Sequence, residues 1–360
     1  MPVSRALRCV TELIRMRSAR LLGRRALSAF NPQVHFEVAI IGAPFNKGQP
    51  RDGVEMGPGV IRQAGVVDKL KALGRSVTDC GDLNFPLVPK DPIVSGAKNP
   101  LAVGRANYIL SKKVSMVKKM GSTSVMLGGD HSLAIGSIAG HTKAVGEVAV
   151  VWVDAHSDIN TPLTSTTGNM HGQPISFLIH ELHAKVPALP GFEWLKPCLL
   201  SKNLVYIGLR DVDPGEHYML KWLGVKAYSM TEIDQLGIAK VMEETCDYVC
   251  DKLKKPIHMS YDIDAIDPTV TPATGTPVVG GLTYRDGIYI TEVIHQTGQL
   301  SALDVVEVNP KRAQNDDGLK STVNTAVDVV LGCFGRQREG NHPPDYVIPE
   351  PTEPLSGSTC

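Results

Sequence analysis

Apolar runs that stop abruptly on acids and histidines recur along this 360-residue chain. "STSVMLGGD" (122–130) leads into Asp130 and His131, and "VAVVWVDAH" (148–156) into Asp154, His156 and Asp158. "PIHMSYDID" (256–264) ends on Asp262 and Asp264, and "LSALDVVEV" (300–308) carries Glu307 near its close. Four more runs have strand character, at 37–45, 76–82, 204–210 and 225–230. A strand that is apolar at nearly every position must be covered on both faces, as in a parallel sheet between helix layers. Helix-like stretches lie between the runs, near 58–73, 100–120, 231–253, 283–297 and 319–335, with Pro58 suited to a first helical position. The alternation predicts an α/β fold: three layers, α/β/α, around a mostly parallel central sheet of about eight strands. In such sheets ligands bind outside the carboxyl ends of the strands. The ionisable groups therefore stand where an active site forms.

Asp154, His156 and Asp158 are spaced i, i+2, i+4, which in extended backbone puts three side chains on one face. Asp262 and Asp264 repeat the spacing, and His131 follows Gly128-Gly129, a pair that permits a tight turn. Four carboxylates and two imidazoles without sulfur suit Mn2+, with Fe2+, Co2+ or Zn2+ as other candidates. Four clustered carboxylates repel one another unless cations balance them. Two divalent ions about 3.5–4 Å apart can acidify a shared water into a nucleophilic hydroxide. One Asp-x-His alone says little, because a strand-end Asp often caps a helix. Asp130 is read as such a cap and Asp267, before Pro268, as a turn residue, so neither joins the metal set.

"GGDHS", "DAHSD" and "SYDIDAIDP" together resemble the ureohydrolase family, in which arginases, agmatinases and relatives hydrolyse guanidino compounds at a dimanganese centre. The resemblance runs from about residue 39 to 342. Within the family, "DINTPLTSTTGNMHGQP" (158–174), "LRDVDPGE" (209–216), "ATGTPVVGGLTYR" (273–285) and "EVNP" (307–310) are similar to arginases. The resemblance implies hydrolysis of L-arginine to L-ornithine and urea by a hydroxide bridging two Mn2+ ions in each subunit. It implies His131, Asp154, His156, Asp158, Asp262 and Asp264 as metal ligands. It implies His171, in "NMHGQP", as proton shuttle, with Glu307 facing the guanidinium and Thr276 beside it. Asn160, Thr167 and Asn169 match residues that bind the substrate α-carboxylate, and Asp213, with Glu216 nearby, the acid that recognises the α-ammonium. Thr167 departs from the usual Ser but keeps the hydroxyl, and Ser157 departs at a position that alternation points away from the metals. Arg338 matches a subunit-interface arginine, which implies a homotrimer. Another guanidino substrate such as agmatine is the near alternative, although agmatine has no carboxylate for the polar loop to grip. A metal deacetylase is more distant, and a non-catalytic regulatory homologue would be expected to have lost ligands.

The formal net charge is zero, with 37 basic and 37 acidic residues, but the charge is unevenly placed. Residues 1–30 hold seven arginines and one acid, Glu12, while the other 330 carry 30 bases and 36 acids. An Arg-rich, Ser-containing, nearly acid-free leader has the composition of an organellar transit peptide. Leu7, Val10 and Ile14 give it helical periodicity, and Arg15 to Arg25 break any secretory apolar core. A disordered basic tail is the other reading. The leader resembles that of mitochondrial type II arginases, whereas the C-terminal stretch is closer to type I. The expected organisation is a transit peptide over 1–30, a catalytic domain over 31–342 and a Pro-rich tail over 343–360, in a mitochondrial matrix protein. The seven cysteines are scattered without a CxxC, which supports neither a disulfide framework nor a thiolate zinc site and fits a reducing compartment. The neutral balance gives no reason to expect a nucleic-acid partner. No apolar run is long enough for a transmembrane helix, so no membrane partner is expected. The glycines of "IGAPFNKGQPRDG" have neither phosphate-loop spacing, and the stretch reads as a substrate-side loop.

Overall fold

The computed structural model describes residues 37–342 and 346–349. The expected leader and most of the Pro-rich tail lie outside the described residues. All eight expected strands form, each within or matching its run: β1 (Glu37–Ala43), β2 (Ser76–Asp82), β3 (Thr123–Gly128), β4 (Ala149–Val153), β5 (Leu204–Leu209), β6 (Lys226–Ser229), β7 (Ile257–Asp262) and β8 (Leu300–Val306). They make one sheet in the order β2-β1-β3-β8-β7-β4-β5-β6, and every pairing is parallel.

Strand alternation divides the interior into two cores. Val38, Ile40, Val125, Leu127, Val151, Val153, Met259 and Tyr261 point to one face of the sheet. Ala39, Ile41, Met126, Val150, Trp152, Leu204 and Tyr206 point to the other. The first face is covered by α1 (Gly57–Gln63), α2 (Val66–Ala72), α8 (Ile238–Cys246), α9 (Tyr284–Thr297) and α10 (Asp316–Cys333). The second is covered by α3 (Pro100–Lys119), α4 (Ala134–Val145), α5 (Pro174–Leu178) and α6 (Pro214–Leu223). A short α7 (Met230–Leu236) leads into α8. Each fully buried Val, Leu or Ile side chain contributes about 1.5–3 kcal/mol, so two filled cores explain why the runs tolerate so few polar residues.

Some helices differ from expectation. The stretch 58–73 is broken between α1 and α2 at Gly65, whose φ of 84° no helix accommodates. The stretch 231–253 is three pieces, the last a π-helical turn over Asp247–Leu253. Three helices, α4, α5 and α6, lie outside the expected stretches. Most of α4 is buried around its circumference, so it has no polar stripe to read. No helix among the described residues is long and apolar enough to cross a membrane.

Strand order is what builds the site. β3, β8, β7, β4 and β5 are consecutive neighbours, so their carboxyl ends form one continuous rim. That rim carries His131, Glu307, Asp262, Asp154 and Asp213, which are far apart in the chain.

Candidate metal centre and substrate cavity

Five of the expected residues meet as two groups that share one carboxylate, with a sixth beside them. His131, Asp154 and Asp262 form the first group and Asp154, His156 and Asp264 the second, each with ligand atoms within 4.8 Å of one another. His131 Nδ1 lies 3.1 Å from Asp154 Oδ2, 3.1 Å from Asp158 Oδ2 and 3.2 Å from Asp262 Oδ2. His156 Nδ1 lies 3.4 Å from Asp154 Oδ1 and 3.3 Å from Asp264 Oδ2. Asp154 thus offers one oxygen to each group.

The convergence does not come from extended backbone. β4 ends at Val153 and β7 at Asp262. Asp158 has a φ of 49°, and Asp264 sits in a 3-10 turn, Ile263–Ala265. The face-sharing expected from the i, i+2, i+4 spacing is therefore replaced by two tight bends. The Asp154 carboxylate accepts the His156 N–H at 2.7 Å, and Asp262 accepts the Asp264 N–H at 2.8 Å. Each first aspartate pulls its i+2 partner back over the strand end.

The donor set fits cations. His131 Nδ1 is buried and makes no hydrogen bond, although three carboxylate oxygens surround it. A buried ring nitrogen aimed at the same point as three carboxylates, with no proton geometry between them, is the arrangement of a ligand shell. Its other nitrogen, Nε2, lies 2.8 Å from Ser260 Oγ, and the ring stacks on Trp152 at 4.1 Å. The Trp152 indole N–H donates to Asp154 Oδ2 at 2.9 Å. Such outer contacts orient ligands before a cation arrives.

Electrostatics also favour cations at this point. Without them, burial raises Asp262 well above the usual carboxylate range, helped by the charges of Asp264 and Asp154. Burial and Asp154 push Asp158 up to about 6. Burial also raises Asp264, against the partial relief given by His156. Burial disfavours the charged forms of Asp154, His131 and His156, yet their mutual pairing outweighs it, lowering the acid and raising both imidazoles.

These directions set the sign of the pH dependence of stability. A carboxyl whose folded pKa exceeds its unfolded value near 4 binds its proton better when folded, so stability falls as pH rises through that interval. Asp158, Asp262 and Asp264 act this way, and the raised His131 and His156 lose their contribution as pH climbs through their folded values. Asp154, being lowered, loses its contribution only in strong acid. The cation-free protein is therefore expected to melt at lower temperature at pH 7.5 than at pH 5. Divalent cation reverses the trend, because its ligands must be deprotonated, and at a hundred times its dissociation constant it adds about 2.7 kcal/mol. Calorimetry at several pH values, with and without cation, checks this; a cation-free midpoint that rises across the window contradicts it.

Beside the metal centre lies a cavity of about 150 Å3. His156, Asp158 and Asp262 line it, as do Asn160, Thr167, Asn169, His171, Asp213, Glu216 and Thr276. The remaining expected residues, His131, Asp154, Asp264 and Glu307, are buried around it. Asp213 accepts from Asn160 Nδ2 at 2.9 Å. Glu216 accepts the N–H groups of Ile159, Asn160 and Asp213, and with Asp213 forms the capping box of α6. Glu216 is thus the brace that ties the Asn160 segment to the Asp213 segment, and burial together with Asp158 pushes its carboxyl up to about 7. Thr276 Oγ1 donates to Asp264 Oδ2 at 3.0 Å. His171 Nδ1 lies 3.3 Å from Glu307 Oε1, and that contact raises the imidazole pKa against the opposing effect of burial. Glu307 is buried at a φ of 64°, accepts the His131 N–H at 2.9 Å, and leaves Oε2 without a partner. A larger groove of about 490 Å3, near Arg105, Tyr108 and Trp194, contains none of these residues.

A family model described as the Arginase family matches residues 36–335. The chain belongs to the arginase family. Arginase-1 of Oryctolagus cuniculus is 60% identical over 313 residues, covering 87% of this chain and 97% of that protein. "Arginase-2, mitochondrial" of Homo sapiens is 56% identical over 337 residues, covering 93% of this chain and 95% of that protein. The solved arginase of Bacillus caldovelox is 35% identical with a TM-score of 0.77, over 84% of this chain and 99% of that one. Beside the residues that the arginase-family resemblance implied, the site holds others that sequence reasoning missed. Trp152 and Ser260 hold ligands, and each sits two residues before an aspartate at or just past the end of its strand, so period-two alternation could have found them. Asp211 also lines the cavity, 3.6 Å from His156 Nε2. Asp130 and Asp267 behave as expected: Asp130 accepts from Ser132 N, and Asp267 from Thr269 N. Arg338 lies on the helical layer, paired with Glu292 at 2.9 Å within its own chain.

Proposed function

We propose that this chain is a metal-dependent hydrolase that converts L-arginine to L-ornithine and urea. One observation carries the reading: three of the cation donors, His156, Asp158 and Asp262, line the same small cavity as the residues suited to an amino-acid head group, with the other three donors grouped against them. His131, Asp154, His156, Asp158, Asp262 and Asp264 would hold two divalent cations, and their oxygen-rich, sulfur-free chemistry favours Mn2+. When bound, two such cations supply a hydroxide nucleophile near neutral pH.

The protein's own groups do the rest. The buried Oε2 of Glu307, left without a partner, supports a role for it as acceptor from the guanidinium, a planar fork of donors. The Thr276 hydroxyl, already donating to Asp264, has lone pairs left to accept from the same fork. Hydrolysis forms a C–O bond at the guanidinium carbon and breaks the C–N bond to the side-chain nitrogen, which needs a proton to leave as an amine. His171, raised by Glu307 and lining the cavity, delivers it. Asn160, Thr167 and Asn169 hold the α-carboxylate with neutral donors, and Asp213, braced by Glu216, holds the α-ammonium.

We also propose a mitochondrial location and a homotrimer in which Arg338 meets a partner copy. The Arg-rich leader supports the first, as does an alignment that spans more of this chain for human "Arginase-2, mitochondrial" than for rabbit Arginase-1. The substrate is tested by urea release from Mn2+-loaded protein given L-arginine or agmatine. L-arginine is expected to win in kcat/KM by at least about 10²-fold, because the Asn160–Asn169 loop has nothing to grip in agmatine. Equal rates, or a preference for agmatine, would remove arginine as the substrate.

A further inference from the structure

Asp130 is fully buried and takes no part in the donor set. Capping explains only half of its carboxylate. Oδ1 accepts from Ser132 N at 3.1 Å and from the Ser132 hydroxyl. Oδ2 reaches across to a loop 82 residues away and accepts from Gly48 N at 2.8 Å. The carbonyl of the same Gly48 accepts the backbone N–H of His171 at 3.0 Å. His171 then meets Glu307 through Nδ1, and Glu307 accepts the N–H of His131, the residue after Asp130. These contacts close a ring: Asp130, Gly48, His171, Glu307, His131. No side chain fits at position 48, where a Cβ would lie 2.4 Å from Asp130 Oδ1 and 2.5 Å from Ser132 Oγ. The loop is further seated by Asp130 N, which donates to Phe45 O at 3.0 Å.

We propose that Asp130 and Gly48 form a clasp whose function is to set the His171 imidazole at the height of the leaving nitrogen. Asp130 is a positioning residue that acts through the Gly48 peptide. The proposal rests on the reading of His171 as the proton donor. A cap with no further role would affect stability alone, and would not need a second oxygen tied to a distant loop.

The test is a double-mutant cycle on the Mn2+-loaded protein with L-arginine. Asp130→Asn keeps the shape but turns one acceptor into an NH2 group, which must face either Gly48 or Ser132. Gly48→Ala opens the clasp from the other side, away from the cation ligands, and decides the matter if Asp130→Asn folds poorly or binds less metal. Each variant is expected to lower kcat about ten- to a hundredfold, with KM within about twofold and cation content unchanged. In a His171→Ala background, neither is expected to lower kcat further. Equal fold-losses in both backgrounds would overturn the clasp while leaving the proton-donor reading intact. A His171→Ala protein with undiminished kcat would overturn that reading and the clasp with it.

Discussion

Asp154→Asn is expected to cost at least about 10³-fold in urea release and to empty both cation positions together. Asp154 is the one residue common to the two donor groups, with Oδ2 toward His131 and Oδ1 toward His156. Oδ2 already accepts from the Trp152 indole and Oδ1 from the His156 backbone N–H, so the carboxylate cannot rotate to compensate. An amide in its place offers one oxygen instead of two and removes a buried negative charge. Lewis-acid and nucleophile chemistry of this kind supplies several kcal/mol of barrier lowering, each 1.36 kcal/mol being tenfold in rate. His131→Asn provides the contrast, since His131 belongs to one group only. It should lose about one cation per chain where Asp154→Asn loses two. Elemental analysis of the two proteins beside their rates makes the comparison. A fully loaded Asp154→Asn protein would show that the shared carboxylate is not what holds the two positions together.

Glu307→Gln is expected to lower kcat/KM by about 10²–10³-fold while leaving the melting temperature unchanged or higher. Glu307 is costly to hold: it is buried, its φ is 64°, and Oε2 has no partner. A left-handed backbone at a non-glycine residue costs about 1–3 kcal/mol and persists where the surroundings enforce it. A half-satisfied buried carboxylate adds to that cost. Both costs make sense if a cationic group of the substrate completes the site. The neutral variant keeps an acceptor for His131 N or for the guanidinium, but not for both, and loses the charge that raises His171. Thermal melting and steady-state rates on the same preparation separate the two effects. A large fall in stability with modest loss of rate would make Glu307 a structural residue.

The strands were legible because burial on both faces leaves few polar positions, and most ended one to three residues before their runs did. Strand order was not legible, since nothing local says that β8 lies between β3 and β7. Glu307 was legible as an acid at a strand's carboxyl end, but its role facing the guanidinium came only through resemblance to a family motif. The aspartates were found for a sound reason, clustered charge at strand ends, but by the wrong geometry. Bends at Asp158 and Asp264, not a shared strand face, bring them together. The brace formed by Glu216 could have been read from "DPGE", a capping-box spacing. The Asp130–Gly48 contact could not, because it joins residues 82 apart through a loop without periodicity.

The most direct measurement strips the purified protein of divalent cations, then returns Mn2+ in counted equivalents while urea and ornithine are followed with L-arginine as substrate. Negligible turnover in the stripped protein, a rise that levels at two bound ions per chain, and urea and ornithine in equal amounts are the predicted result. Undiminished arginine hydrolysis by protein holding almost no metal, or no hydrolysis by protein holding two ions per chain, would contradict a two-metal arginine hydrolase.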